Sequence, residues 1–316
     1  MQTLSTTRQS GILAMFLLLV ILTVTLLRLS LSPYAMEIAS SEFMPQVWEA
    51  LLSGVLLFVT AVITNRIAVR IELFNDFCAL PLSLFAVIGC GIFISPHTLS
   101  VSSALLLSTW GLLLILRTLR ENNNKELPLF GGILFGTALL CYPPAVMLAA
   151  ILPLAAWIVP LNPRQSFVMY VGYLLPTLAA SYVAWYCGNN LTTLCVSLYE
   201  QIITPTNALT LNPIPYGALA LGGVVVVATL LAVVHLIAHR SGMLANVRKG
   251  VMILCTSCIA SLAMVFVPSV DVGFIAFAAV PMSILIASLL NNMDDAKANI
   301  LYLLVMLLTA IHLFLE

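Results

Sequence analysis

From Leu127 to Pro160 the chain reads LPLFGGILFGTALLCYPPAVMLAAILPLAAWIVP, without one charged residue. As a single helix this stretch would be about 50 Å long at about 1.5 Å per residue, against a hydrocarbon core of about 30 Å. Ordinary tilt does not absorb the difference. The stretch must break, and Tyr142-Pro143-Pro144 is where. Two successive prolines remove two backbone donors, and Pro144 pushes Pro143 away from helical geometry. The sequence therefore predicts one helix ending near Cys141 and a second returning through Met147 and Leu152.

The rest of the chain is similar material. Of 316 residues 62% are hydrophobic and only 8% charged, where soluble domains carry about 25% charge. This is the composition of an all-α, polytopic transmembrane helix bundle, expected to form a single integral membrane domain over 1–316. Twelve basic and twelve acidic side chains cancel, so there is no electrostatic case for nucleic acid or for an acidic soluble partner. The apolar run from Gly11 to Leu27 behind Arg8 has the outline of a signal peptide, but its length and the lack of a clear small-x-small cleavage site make it a retained anchor. Seven cysteines, mostly inside apolar runs, read as small core residues and not as a disulfide framework.

Apolar runs bounded by charge or turn residues predict eleven crossings, near 11–31, 46–66, 77–95, 98–116, 128–142, 145–160, 166–187, 216–238, 250–267, 272–290 and 299–315. With the N-terminus inside, Arg8, Arg66, Arg70, Arg117, Arg120, Lys125, Arg164, Arg240, Arg248, Lys249 and Lys297 all fall on the inner side. The remaining basic residue is Arg28. Glu37, Glu42, Glu49, Glu200, Asp271 and Glu316 fall outside. This segregation follows the positive-inside rule, implies a multi-pass protein of the bacterial inner membrane, and supports the count as well as the orientation.

Two outer loops, 32–45 and 188–215, are longer than the others. In the second, Leu191, Leu194, Cys195, Leu198, Ile202 and Ile203 recur at helical spacing, with Thr192, Thr193, Glu200 and Gln201 elsewhere around the helix. A short amphipathic helix on the outer leaflet is expected. The inner loops are short apart from 117–126 and 239–249. Any active site should thus face outward or lie within the membrane.

Several residues carry candidate chemistry, each beside a plainer reading. Arg28, at the outer end of the first helix and against the charge rule, is placed to hold a lipid phosphate through a bidentate contact; the plain alternative is snorkelling to headgroups. Glu37 and Glu42, with Glu49, sit around the first outer loop, where a carboxylate would deprotonate an acceptor or hold a metal at a phosphate. Solvated loop acids are the alternative. Tyr142, Pro143 and Pro144 would line a cavity at the broken helix, or simply make a turn. Gly132 and Gly136 form a small-xxx-small pair suited to helix packing. His235 and His239 lie one turn apart without a third ligand, so no metal site is assigned. Cys255 and Cys258 spell CxxC inside an apolar helix and read as packing. No cofactor is indicated by any motif, and Trp48, Trp110, Trp157 and Trp185 read as interfacial anchors.

The ordered features Asn65-Arg66 with Glu72-Leu73-Phe74, Leu129 to Gly136 leading into Tyr142-Pro143-Pro144, Asn162-Pro163-Arg164 and Tyr173 to Pro176 resemble an uncharacterised family of bacterial integral membrane proteins, over about residues 60–190. More distantly, a first helix, an acidic outer loop and then GxxxGxAxLxYPPA between two crossings is similar to the membrane half of C-type glycosyltransferases. That resemblance implies transfer of a sugar from a polyprenyl phosphate at the outer leaflet, with Glu37 or Glu42 as the loop acid and Arg28 at the lipid phosphate. The chain departs from the pattern in having no paired acidic motif and no sizeable outer domain. The alternatives from another class are a non-catalytic scaffold subunit of a larger envelope complex, with other membrane proteins as partners, and a lipid or solute carrier.

Overall fold

The computed structural model describes residues 46–74, 78–90, 98–120, 126–159, 161–188, 190, 192–204, 216–270 and 273–315. Among these residues the chain is helical, with eleven α-helices and no strand. They are α1 (Gln46–Arg70), α2 (Leu80–Phe85), α3 (Thr98–Thr118), α4 (Glu126–Cys141), α5 (Ile151–Ile158), α6 (Pro163–Tyr186), α7 (Thr193–Ile203), α8 (Tyr216–Ala238), α9 (Ala245–Ala263), α10 (Phe274–Asn292) and α11 (Asp295–Leu315). Six of them, α1, α3, α6, α8, α9 and α10, are long and apolar enough to cross a membrane. The predicted first crossing, 11–31, lies outside the described residues.

The break falls where the prolines put it. Tyr142 N–H still donates to the Ala138 carbonyl at 2.9 Å, Pro143 and Pro144 have no N–H, and Ala145 N–H donates to the Tyr142 carbonyl at 2.9 Å. The chain thus passes from α to 3-10 hydrogen bonding without stranding a donor. In place of the continuous α-helix predicted over 145–160, residues Pro143–Ala150 form a 3-10 helix that continues into α5. The difference has a physical use. At about 2.0 Å per residue in the 3-10 part and about 1.5 Å in α5, this limb reaches about 28 Å, close to the core thickness, where a pure α-helix would reach about 24 Å.

The predicted crossing 77–95 is described over 78–90. Its described part is the short α2 followed by a π-helical turn, Ala86–Cys90. Leu80 to Phe85 are all buried, packed between α1 and α10. The element is thus a buried wedge. Smaller shifts follow capping chemistry: α6 starts at Pro163, not 166, because Asn162 supplies the N-cap, Pro163 fits the first turn, and Asn162 N–H donates to Gln165 Oε1 at 3.1 Å.

At the centre stands α10, in which every residue from Ala276 to Leu290 is buried. It is apolar all round, as a fully enclosed helix must be, and Ala276, Ala278, Ala279, Ser283 and Ala287 keep it slim. Around it pack α2, α8 and α9. Beside this group runs the sequence α1–α3–α4–α6, each helix against the next. Lipid offers no hydrophobic gain for helix association, so close fit must supply it. Gly132 and Gly136 provide that fit: a methyl on Gly132 would penetrate the Met169 carbonyl and one on Gly136 the Tyr173 carbonyl, while Gly172 answers from α6 against the Leu129 carbonyl at 2.5 Å. The small-xxx-small pair is a packing face, as read from the sequence. On the other side of α4, Gly131 faces Ile115 of α3.

The ends of the bundle differ in charge. Arg70, Arg117, Arg164 and Arg248 fall at one end, where Arg120 pairs with Glu72, and Lys297 with Asp294 at 2.9 Å. Glu72 has φ 58°, a left-handed turn that ends α1 and turns its carboxylate towards Arg120. Ile71 beside it sits in the notch left by Gly250 of α9, where a Cβ would come within 2.7 Å of its side chain.

Packing through α4 makes a sharp prediction for apparent unfolding in detergent. Gly136→Ala should lower stability by about 1–3 kcal/mol, the usual cost of overpacking. Gly223→Ala on α8, where a methyl would meet nothing within 4 Å, should be neutral or stabilising. Equal effects at the two sites would contradict the packing described.

Candidate functional site

The helix break, an aromatic stack and a small internal cavity form one locale. The Tyr142 ring stacks on Phe277 of α10, with centroids 5.7 Å apart and planes 12° from parallel. Tyr142 and Pro144 are buried and Pro143 is half-buried. Phe277 also lines a cavity of about 20 Å³, together with Ser108 and Thr109 of α3, Phe135 of α4, Leu148 and Ile151 on the returning limb, and Ser257 of α9. Residues on both limbs of the break therefore face this space, although Tyr142, Pro143 and Pro144 are not among its lining. Ser108 and Thr109 already donate to the Leu105 carbonyl, at 3.0 and 2.7 Å. A space of this size has room for about one water. It suits a hydrated joint between helices and is far smaller than the 300 Å³ or so at which ligand pockets begin.

A larger hollow, about 350 Å³, lies between α8 and α11. It is lined by Ala220, Gly223, Val224, Val227, Ala228, Leu231 and Leu301. Its lining has no polar side chain, so it can receive only hydrocarbon.

The remaining sequence candidates are placed as follows. Arg28, Glu37 and Glu42 lie outside the described residues, and Glu49 is half-buried in the first turn of α1. The His235 and His239 rings lie with centroids 4.2 Å apart and planes tilted by 36°, and His239 Nδ1 lies 2.9 Å from the His235 carbonyl. Among the described residues no third His, Cys, Asp or Glu joins them in a metal-binding group. Cys141, Cys187, Cys195, Cys255 and Cys258 are free thiols. All four tryptophans are exposed, but Trp110 lies midway along α3 and not near a helix end.

Four polar atoms were assigned no role from the sequence. Among the described residues Asn65 Oδ1, Ser269 Oγ, Asn299 Oδ1 and the Tyr302 hydroxyl are buried without a hydrogen-bond partner. Tyr302 on α11 is directed at Ser83 of α2, whose own hydroxyl donates to the Leu80 carbonyl at 2.9 Å. For Asn65, Asn299 and Tyr302 the available signal was the polar residue itself within a predicted span.

Fold and site together define a polytopic, all-helical membrane protein with a tightly packed interior. Residues 10–315 match a family of unknown function, DUF6427, and the chain belongs to that family. No curated protein and no solved structure matches it. The uncharacterised membrane family is thereby supported, whereas the resemblance to C-type glycosyltransferases gains nothing from these comparisons.

Two measurements probe this locale. In a double-mutant cycle with Tyr142→Leu and Phe277→Leu, the ring stack should appear as a coupling of about 0.5–1.5 kcal/mol in stability; strict additivity would mean the rings do not interact. Tyr302→Phe removes a buried hydroxyl that has no partner, so stability should hold within about 1 kcal/mol or rise. A loss of about 3 kcal/mol would show that the hydroxyl is bonded after all.

Proposed function

We propose that the whole chain acts as one membrane domain at the outer leaflet of the bacterial inner membrane, on a sugar linked to polyprenyl phosphate, as a C-type transferase or an inactive relative. The observation that carries this reading is the juxtaposition at the end of the bundle away from the basic residues. There the broken hairpin turns at Tyr142-Pro143-Pro144, and α7 lies against both the 3-10 segment and α6. The chain enters α1 at this same end, where Glu49 occupies the first turn, and the reading puts the predicted outer loop 32–45, with Glu37 and Glu42, just before it. In the proposed chemistry Glu37 or Glu42 takes the proton of an acceptor hydroxyl, or holds a metal at the phosphate. The acceptor oxygen then bonds to the anomeric carbon, and the polyprenyl phosphate departs with the electrons of its bond to the sugar. Arg28 balances the charge on that phosphate.

A non-catalytic scaffold subunit is the second reading. It is favoured by a different observation: the cavity beside the break holds only about 20 Å³, the larger hollow between α8 and α11 is lined by apolar side chains alone, and close glycine packing fills the space between α4 and α6.

Mass spectrometry of lipids retained after gentle extraction separates the two. The transferase reading expects polyprenyl phosphate or its sugar adduct with the wild type, loss of it with Arg28→Ala, and loss of sugar transfer with a folded Glu42→Gln variant if Glu42 is the acid. Bulk phospholipid alone in both samples, with a co-purifying membrane protein, would overturn it in favour of the scaffold.

A further inference from the structure

At about 100° per residue, α7 divides into three arcs. Leu194, Leu198 and Ile202 follow one another at four-residue steps and are half-buried on the side towards the protein, Ile202 against the main core. Thr193, Glu200 and Gln201 form the polar arc. Between them lies a third arc of Val196, Tyr199 and Ile203, large apolar side chains that are 50%, 64% and 47% exposed. The apolar side of this helix is thus about twice as wide as its seat on the protein requires.

The third arc continues the exposed apolar strip of α6. On α6, a membrane-crossing helix, Leu178 and Tyr182 are 66% and 60% exposed, and Ser181 lies at the edge of that strip. Its hydroxyl is 3.9 Å from Cys195 Sγ of α7. Cys195 falls on the wheel between Ile202 and Tyr199, at the border of the seated and exposed arcs. Passing outward from α6 across this contact, the next side chains are those of the third arc. The Tyr182 and Trp185 rings, 5.8 Å apart near the end of α6, mark the depth at which amphipathic rings meet headgroups.

We infer that α7 is an interfacial helix set into the outer leaflet, with Val196 and Ile203 among the upper acyl chains, Tyr199 at the headgroup boundary and Glu200 in water. The occupant of the exposed arc is lipid. Seating on two sides, protein and bilayer, fixes the roll of the helix and ties the 3-10 segment at the break to the depth of the membrane surface. The inference is independent of the transferase reading.

Tryptophan scanning tests it in the full chain. With Trp48, Trp110, Trp157 and Trp185 replaced by Phe, single tryptophans are placed by Tyr199→Trp, Ile203→Trp, Thr193→Trp and Gln201→Trp, with Leu178→Trp as the lipid-facing reference. The protein is reconstituted into phosphatidylcholine vesicles brominated on the acyl chains close to the headgroup. Emission from positions 199 and 203 should fall by about twofold or more, as at 178, while 193 and 201 change little. If 199 and 203 are not quenched while 178 is, the arc faces water or a protein and the inference fails. If 193 and 201 are quenched as strongly as 199, the helix is not interfacial, and the inference fails equally. Two positions in each arc keep the test decisive if one variant does not fold.

Discussion

Inside hydrocarbon a backbone N–H without a partner costs several kcal/mol, since no water can take its place. That constraint governs the arrangement of this protein most visibly at Tyr142. A long apolar stretch had to turn within one membrane, and two prolines make the turn by removing donors instead of exposing them. The Ala138 and Tyr142 carbonyls accept the bonds on either side, and the following eight residues lengthen into a 3-10 helix that brings the short second limb close to the span it needs. The neighbouring stack of Tyr142 on Phe277 then fastens the turn to the central helix.

The second determinant is steric. With no hydrophobic gain available between helices in lipid, association depends on fit and on van der Waals contact. Glycines on α4 face both neighbours, Gly131 towards α3 and Gly132 and Gly136 towards α6. The central α10 achieves the same closeness with alanine and serine. Hydroxyls that would otherwise be stranded return to their own helices, as Thr60, Ser108, Thr229 and Ser283 do to carbonyls three or four residues earlier. The cavity left beside the break, where α3, α4, α9 and α10 meet the returning limb, holds only about 20 Å³.

Much of this was legible in the sequence, for identifiable reasons. Charge bounded the spans, the prolines located the break, and the amphipathic period of residues 193–203 marked α7. The glycine pair announced its packing role. What the sequence could not separate was a buried helix from a lipid-facing one. Helices α10 and α6 both read as apolar spans, with mean hydropathy 2.1 and 1.5, yet their membrane windows are 83% and 22% buried, because lipid and protein interior select the same side chains. The π turn that follows α2 is equally invisible to apolarity. The change to 3-10 geometry after Pro144 leaves no mark in hydropathy. Of the candidate site, the break and its surroundings are placed, while Arg28, Glu37 and Glu42 rest on topology alone.

The central claim is that the uncharged stretch Leu127–Pro160 makes two passes, so that its two ends share one side of the membrane. In a chain with all seven native cysteines replaced, single cysteines would be introduced by Glu126→Cys, Asn162→Cys and Glu200→Cys, and intact cells treated with a membrane-impermeant maleimide. The account predicts labelling at 200 from outside, and at 126 and 162 only after the membrane is opened. Labelling of 126 and 162 from opposite sides would mean that the stretch crosses once, and would contradict the fold and the orientation together.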